Sequence, residues 1–273
     1  MTTNQHNSAP ASASASASPV PASPEGRYAQ VNGLTMYYES HGEGRPLVLL
    51  HGGVLTIELS FGALLPALAA THRVIAVELQ GHGHTADTDR EMTVPNLAED
   101  VVALLDTLGI ERADLFGFSL GGMTALEMAV RHPERVGRVV LASVPFRQDG
   151  YLAEIRDPAL HAGSRRLPSQ ADFQAMADAY TAVAPDPGHF RAFLAKCTAA
   201  AGYEGWSEDE LRGLSAPALL IAGDTDFVSV EHMATMHRLV PDARLAILPD
   251  CLHMDVLRRT ELVLPMVESF LAS

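Results

Sequence analysis

Cysteine is nearly absent: Cys197 and Cys251 are the only two in 273 residues. Two thiols cannot staple a chain of this size, so its fold must rest on an apolar core, and free thiols in a reducing, cytoplasmic setting are expected. Positive charge is also scarce. Nineteen Lys and Arg stand against 33 Asp and Glu, for a formal net charge of −14. That balance argues against a phosphate-binding surface and so against nucleic acid as a partner. No apolar run approaches the roughly 18 residues that would cross a bilayer. The first residues lack the basic start and apolar stretch of a secretory signal. A soluble chain with no membrane partner is therefore expected. No internal repeat interrupts it. Hydrophobic residues are plentiful, at 47%, enough for one large core, and the length suits a single α/β domain carrying an insertion.

Residues 1–25 run through Ala-Ser repeats into Pro19, Pro21 and Pro24. Such a composition does not offset the entropy of ordering, so it reads as a flexible low-complexity tail. Structural patterning begins at residue 26. Tyr28–Val31 and Leu34–Glu39 flank Asn32-Gly33, a strong hairpin turn. Short, predominantly apolar runs at 46–50, 73–77, 113–116, 136–142, 218–222 and 245–248 read as buried strands. Between them lie helical patterns at 58–70, 97–108, 120–132, 230–240 and 263–271. Thr93 is the expected cap and Gly109 the stop of the second of these. Strands alternating with helices predict a mostly parallel central sheet flanked by helices. From Pro145 to Gly213 no buried strand is evident, while Phe173, Met176, Tyr180 and Phe193 fall in helical patches. The expected organisation is an α/β core over 26–144 and 214–273 with a helical cap inserted at 145–213.

In a parallel α/β sheet, ligands collect beyond the carboxyl ends of the strands. Four such endings carry chemistry. The strand at 113–116 runs into Gly117-Phe118-Ser119-Leu120-Gly121-Gly122, where one hydroxyl sits between glycines at a strand-to-helix turn. The strand at 218–222 ends in Gly223-Asp224-Thr225-Asp226, the last strand is followed by Cys251-Leu252-His253, and the strand at 46–50 ends in His51-Gly52-Gly53. A serine hydroxyl needs a base within hydrogen-bond reach, and that base needs a carboxylate to hold its tautomer. The chain order Ser, Asp, His supplies all three.

These landmarks resemble the α/β-hydrolase superfamily, in its serine esterase and lactonase branch, from about residue 27 to the C-terminus. The resemblance implies an α/β-hydrolase fold with Ser119 as nucleophile and His253 as base. It selects Asp226 over Asp224 as the acid, with Asp149 a more distant alternative. It further implies an oxyanion hole made by the backbone N–H groups of Gly53 and Leu120. His51 would shape that loop rather than transfer protons. Where the family usually has Gly before the histidine, this chain has Leu252. Cys251, two residues before His253, reads as a buried thiol. His82-Gly83-His84 with Asp87 has the residue types of a hydrolytic metal site, but Gly81 to Thr85 matches the family's glycine-bearing loop. No metal and no cofactor are expected.

A serine at the elbow separates this chain from similar dehalogenases and epoxide hydrolases, which attack with Asp. The expected reaction is cleavage of a small apolar carboxylic ester or lactone through an acyl-enzyme, with acyl-homoserine lactones among the substrates that fit. Two related readings are a carbon–carbon bond hydrolase of ring-cleavage products and a cofactor-free perhydrolase. The first would need a cation for a carboxylate, for which Arg147, Arg165, Arg166 and Arg191 are candidates. The second resembles proteins with Pro near the oxyanion loop, where this chain has Gly53-Val54. A small-molecule receptor on the same scaffold is the non-enzymatic alternative.

Overall fold

The computed structural model describes Met1 and residues 26–273; the tail expected over 1–25 lies, Met1 apart, outside the described residues. Eight strands form one sheet: β1 (Arg27–Val31), β2 (Leu34–His41), β3 (Arg45–Leu50), β4 (His72–Val77), β5 (Ala113–Phe118), β6 (Val136–Ala142), β7 (Ala218–Gly223) and β8 (Ala243–Leu248). Their order is β1-β2-β4-β3-β5-β6-β7-β8. The β1–β2 and β2–β4 pairs are antiparallel and every later pair is parallel. The hairpin turn follows from its sequence, with Asn32 and Gly33 both at positive φ, +47° and +83°, as a tight two-residue connection requires.

β5 and β7 are buried at every position. That explains apolar runs without alternation, because helices cover both faces of the sheet. Outside residues 145–213 these helices are α1 (Ile57–Phe61), α2 (Leu65–Ala69), α3 (Val94–Thr107) and α4 (Leu120–Arg131), and, after them, α9 (Val230–Leu239) and α10 (Thr260–Leu271). The single helix expected over 58–70 is two short ones. Pro66 has no N–H to donate to the carbonyl of Gly62, so the ladder breaks there. The Thr93 side chain caps α3 by accepting from the Asn96 N–H, and Gly109 follows the helix at φ +64°. Residues 145–213 carry the short α5 (Ala153–Arg156), α6 (Gln170–Val183), α7 (Phe190–Ala201) and α8 (Glu208–Arg212), with no sheet strand among them. Ser169 and Ser207 start α6 and α8 with reciprocal capping boxes to Asp172 and Glu210. No helix among the described residues is long and apolar enough to cross a membrane.

Close packing joins α4 to the sheet. A Cβ on Gly121 would lie 2.1 Å from the Leu50 carbonyl oxygen, and one on Gly117 would lie 2.4 Å from the Gly121 carbonyl oxygen. Only glycine lets the helix's first turn sit directly on β3 and β5. Gly121→Ala should therefore destabilise the protein by about 1–3 kcal/mol through overpacking, read as a lowered urea midpoint. An unchanged midpoint would mean that α4 can move away from β3 without cost.

Candidate active site

At the end of β5 the chain reverses through Ser119, whose φ of +51° and ψ of −116° are strained for a residue with a side chain. The Ser119 N–H donates to the Ala142 carbonyl (2.9 Å), and its own carbonyl accepts from Met123 N–H (2.8 Å). Strand β6 and helix α4 thus hold the strain between them. The hydroxyl is left pointing away from the sheet.

The structure brings the three residues of the expected triad together from the ends of β5, β7 and β8. Ser119 Oγ lies 3.1 Å from His253 Nε2, and His253 Nδ1 lies 2.6 Å from Asp226 Oδ1. With the Nδ1 proton directed to the carboxylate, Nε2 is free to accept the serine proton. Asp226 and His253 are both buried. Burial alone would raise the Asp226 carboxyl, but the His253 charge and hydrogen bond, with Ser143 and the Gly223 N–H, hold it below the usual aspartate value. The carboxylate accepts from Ser143 Oγ (2.5 Å), Gly223 N–H (3.2 Å) and Phe227 N–H (2.6 Å). The Phe227 ring lies flat on the His253 imidazole, 3.9 Å between centroids and 6° between planes, which fixes the ring's tilt. Ser143 and Phe227 were not singled out in the sequence. The only signal for Ser143 was a polar residue directly following an apolar strand.

Asp224 stands elsewhere. Its carboxylate accepts from the Cys251 N–H at 3.2 Å and so organises the turn that carries His253. Asp149 pairs with Arg147 at the surface. Leu252 is accommodated without glycine because its backbone is ordinary and extended, φ −77° and ψ +165°. Burial pushes the Cys251 thiol up to about 11, which keeps it protonated.

Gly53 and Leu120 face one another beside the serine: a Cβ on Gly53 would lie 3.7 Å from Leu120 Cβ. Both border the same cavity as Ser119 and His253. The N–H of Leu120 belongs to the first turn of α4, where a helix leaves donors without intrahelical partners. Two buried histidines hold the Gly53 loop. His51 Nδ1 donates to the Gly52 carbonyl (2.9 Å) while its Nε2 accepts from Leu79 N–H (3.1 Å). His82 Nδ1 donates to the Gln80 carbonyl (2.9 Å) while its Nε2 accepts from Val54 N–H (3.1 Å). Both rings are thus committed as neutral tautomers. His84 is paired with Glu78, and Asp87 with Gln80, His189 and Lys196. Among the described residues no group of three such side chains could hold a metal ion.

The cavity over Ser119 has a volume of about 320 Å³. Its walls are mainly apolar: Leu55 and Phe118 lie beside the sheet, Phe173 and Met176 come from α6, Cys197 from α7, and Met254 follows His253. No Lys or Arg is in the lining. Arg166 pairs with Glu154 and donates to the Asp226 carbonyl, Arg147 lies over Phe146, and Arg165 and Arg191 are exposed.

The antiparallel β1–β2 start, the parallel sheet, the serine at the β5–α4 turn and the insertion after β6 are joined by a direct sequence match. A family model described as alpha/beta hydrolase fold matches residues 45–185. The chain belongs to the α/β-hydrolase family. It is similar to the 2-hydroxymuconate semialdehyde hydrolase of Pseudomonas putida, 30% identical over 268 residues that span 92% of this chain and 95% of that one. It is also similar to the pimeloyl-[acyl-carrier protein] methyl ester esterase of Nitrosospira multiformis, 28% identical over 248 residues that span 82% and 93% of the two chains. Among solved structures, the enol-lactonase from Burkholderia xenovorans LB400 matches with a TM-score of 0.72 at 25% identity, covering 90% of this chain and all of that one (100%). These α/β-hydrolase relatives are hydrolases of different bonds.

The neutral histidines have a consequence for stability. Burial pushes His51 and His232 down to about 4, and burial together with the neighbouring His51 holds His82 well below 6.5. The unfolded chain takes up these protons near pH 6.5, whereas the native chain does so only well below that, near pH 4 for His51 and His232. Stability therefore falls as pH drops through that window. Glu78 and Asp114, whose carboxyls burial raises, oppose this trend, but the three histidines outnumber them. The urea midpoint should be lower at pH 5 than at pH 7; a midpoint that rises would contradict neutral buried histidines.

Proposed function

We propose that this α/β-hydrolase is a serine hydrolase that cleaves carboxylic esters and lactones, acyl-homoserine lactones included, through an acyl-enzyme on Ser119. The observation that carries the reading is the hydrogen-bonded line from Ser119 through His253 to Asp226, opening into an apolar cavity without a cation. His253 Nε2 takes the hydroxyl proton as Oγ attacks the carbonyl carbon, and the resulting oxyanion turns toward the Gly53 and Leu120 N–H groups. His253 then returns the proton to the departing alkoxide, which in a lactone stays tethered to the acyl group. Water, deprotonated by the same nitrogen, releases the acid. Asp226 holds the imidazole in the tautomer these steps need and offsets its charge when it is protonated. Each oxyanion donor of this type is worth on the order of 10²–10³ in rate. Two free, buried cysteines support a reducing, cytoplasmic location.

A second reading, carbon–carbon bond hydrolysis of a ring-cleavage product, is favoured by similarity to the Pseudomonas hydrolase. The cation-free lining weighs against it, because such an acid substrate would bring a carboxylate into the cavity. A panel of aryl esters, acyl lactones and ring-cleavage products separates the two. Esters or lactones should turn over repeatedly. Ser119→Ala and His253→Ala should each lower kcat by on the order of 10⁶, as expected of a triad acting as a unit. Asp226→Asn should be severe and Asp224→Asn mild. Turnover confined to ring-cleavage products would favour the second reading, and a single slow turnover with tight binding would favour a receptor.

A further inference from the structure

The polar atoms around the cavity are few, and most are committed. Ser119 and His253 belong to the reacting line. The Thr198 hydroxyl donates to the Leu194 carbonyl at 2.8 Å, within its own helix. The Cys197 sulfur lies 3.8 Å from His82 Nε2, behind the oxyanion loop. Tyr151 also lines the cavity, and its hydroxyl is directed at Met123 Sδ, 3.9 Å away. A thioether is a weak acceptor. Burial, and then the negative charge of Asp226, push the phenol's pKa up, so Tyr151 remains a proton donor wherever the enzyme works.

Tyr151 is also firmly placed relative to the reacting groups. Its backbone forms an antiparallel bridge with Val228. On either side, the Leu152 N–H donates to the Phe227 carbonyl and the Ser229 N–H to the Gly150 carbonyl, both at 2.9 Å. This segment follows Asp226 directly, and its Phe227 ring is the one stacked on His253. Met123 stands one turn along α4 from Ser119. A phenylalanine would fill the same space without setting a partly buried hydroxyl against sulfur, a weakly compensated arrangement. A substrate oxygen beside the cavity wall would compensate it.

Resting on the ester and lactone reading, we propose that Tyr151 is a specificity-determining donor that hydrogen-bonds a second, uncharged oxygen of the substrate. That oxygen is an ether, ketone, amide or further ester oxygen, distinct from the carbonyl that Ser119 attacks. The preferred substrates are then oxygen-bearing esters and lactones rather than plain hydrocarbon ones. A carboxylate at this position is disfavoured, because a neutral phenol in a cation-free wall does not replace its hydration.

The test compares wild type with Tyr151→Phe on hydrocarbon esters and their oxa-isosteres: 4-nitrophenyl pentanoate against its 3-oxa and 4-oxa analogues, and butyl butyrate against 2-methoxyethyl butyrate. For at least one isostere, kcat/KM should fall about 10-fold more than for its parent, as loss of one hydrogen bond to a neutral partner predicts. Parents should change less than about 2-fold, and the melting temperature should hold. Equal effects on parents and isosteres would overturn the proposal. If wild type hydrolyses none of these esters, the ester reading fails. Calorimetric binding of the same compounds to Ser119→Ala and to Ser119→Ala/Tyr151→Phe then decides the role of Tyr151 by itself. A selective loss of affinity for an isostere supports it, and no selective loss overturns it.

Discussion

The contact of the α4 backbone with β3 is the constraint on which the rest of the molecule depends. With Gly121 seated against the Leu50 carbonyl and Gly117 against the first turn of the helix, the chain between them has room for one residue at positive φ. Ser119 takes that position. Its hydroxyl is lifted off the sheet toward His253, and the first N–H groups of α4 are brought beside it. The position of the hydroxyl and that of the helix's first free donors are thus two results of one close approach. The strain is held by hydrogen bonds from Ser119 to β6 and α4, so the elbow does not depend on the cap.

Around this elbow, neutral polar groups hold the remaining parts. Four donors surround the Asp226 carboxylate: His253, Ser143, and the N–H groups of Gly223 and Phe227. The Gly53 loop is instead tied by His51 and His82, each donating with one ring nitrogen and accepting with the other. Helix α7 packs onto the same point. Phe193 meets the His82 ring edge to face at 4.7 Å, and the Cys197 thiol lies 3.8 Å from His82 Nε2. The cavity wall and the Gly53 loop are therefore in direct contact.

Much of this was legible in the sequence because it depends on local pattern. Strands buried on both faces are apolar throughout, so their ends could be located, and a parallel sheet brings those ends to one edge. Ser119, the Asp224 and Asp226 pair and His253 stood out because each is a polar residue at such an end, and the resemblance to the α/β-hydrolases chose Asp226 from the pair. The Asn32-Gly33 turn and the Thr93 cap were readable for the same local reason. The break between α1 and α2 was missed because one missing N–H, at Pro66, outweighed an otherwise helical stretch. The roles of Ser143, Phe227, His82 and Tyr151 were not legible. Each depends on a partner brought close only by the fold, as Ser143 and Asp226 are across 83 residues of sequence. Between 145 and 213 the helices could be anticipated, but the faces they turn toward the cavity could not, since burial there is shared between core, cavity and solvent.

The central claim is that Ser119 is a nucleophile activated by His253 and Asp226, and covalent capture tests it most directly. Treating the native protein with a fluorophosphonate and mapping the adduct by mass spectrometry should find one phosphonyl group on the peptide containing Gly117–Gly122. Its rate of attachment should fall sharply in Asp226→Asn and remain near wild type in Asp224→Asn. An adduct on any other residue, or equal labelling of Ser119 in both aspartate variants, would contradict the account.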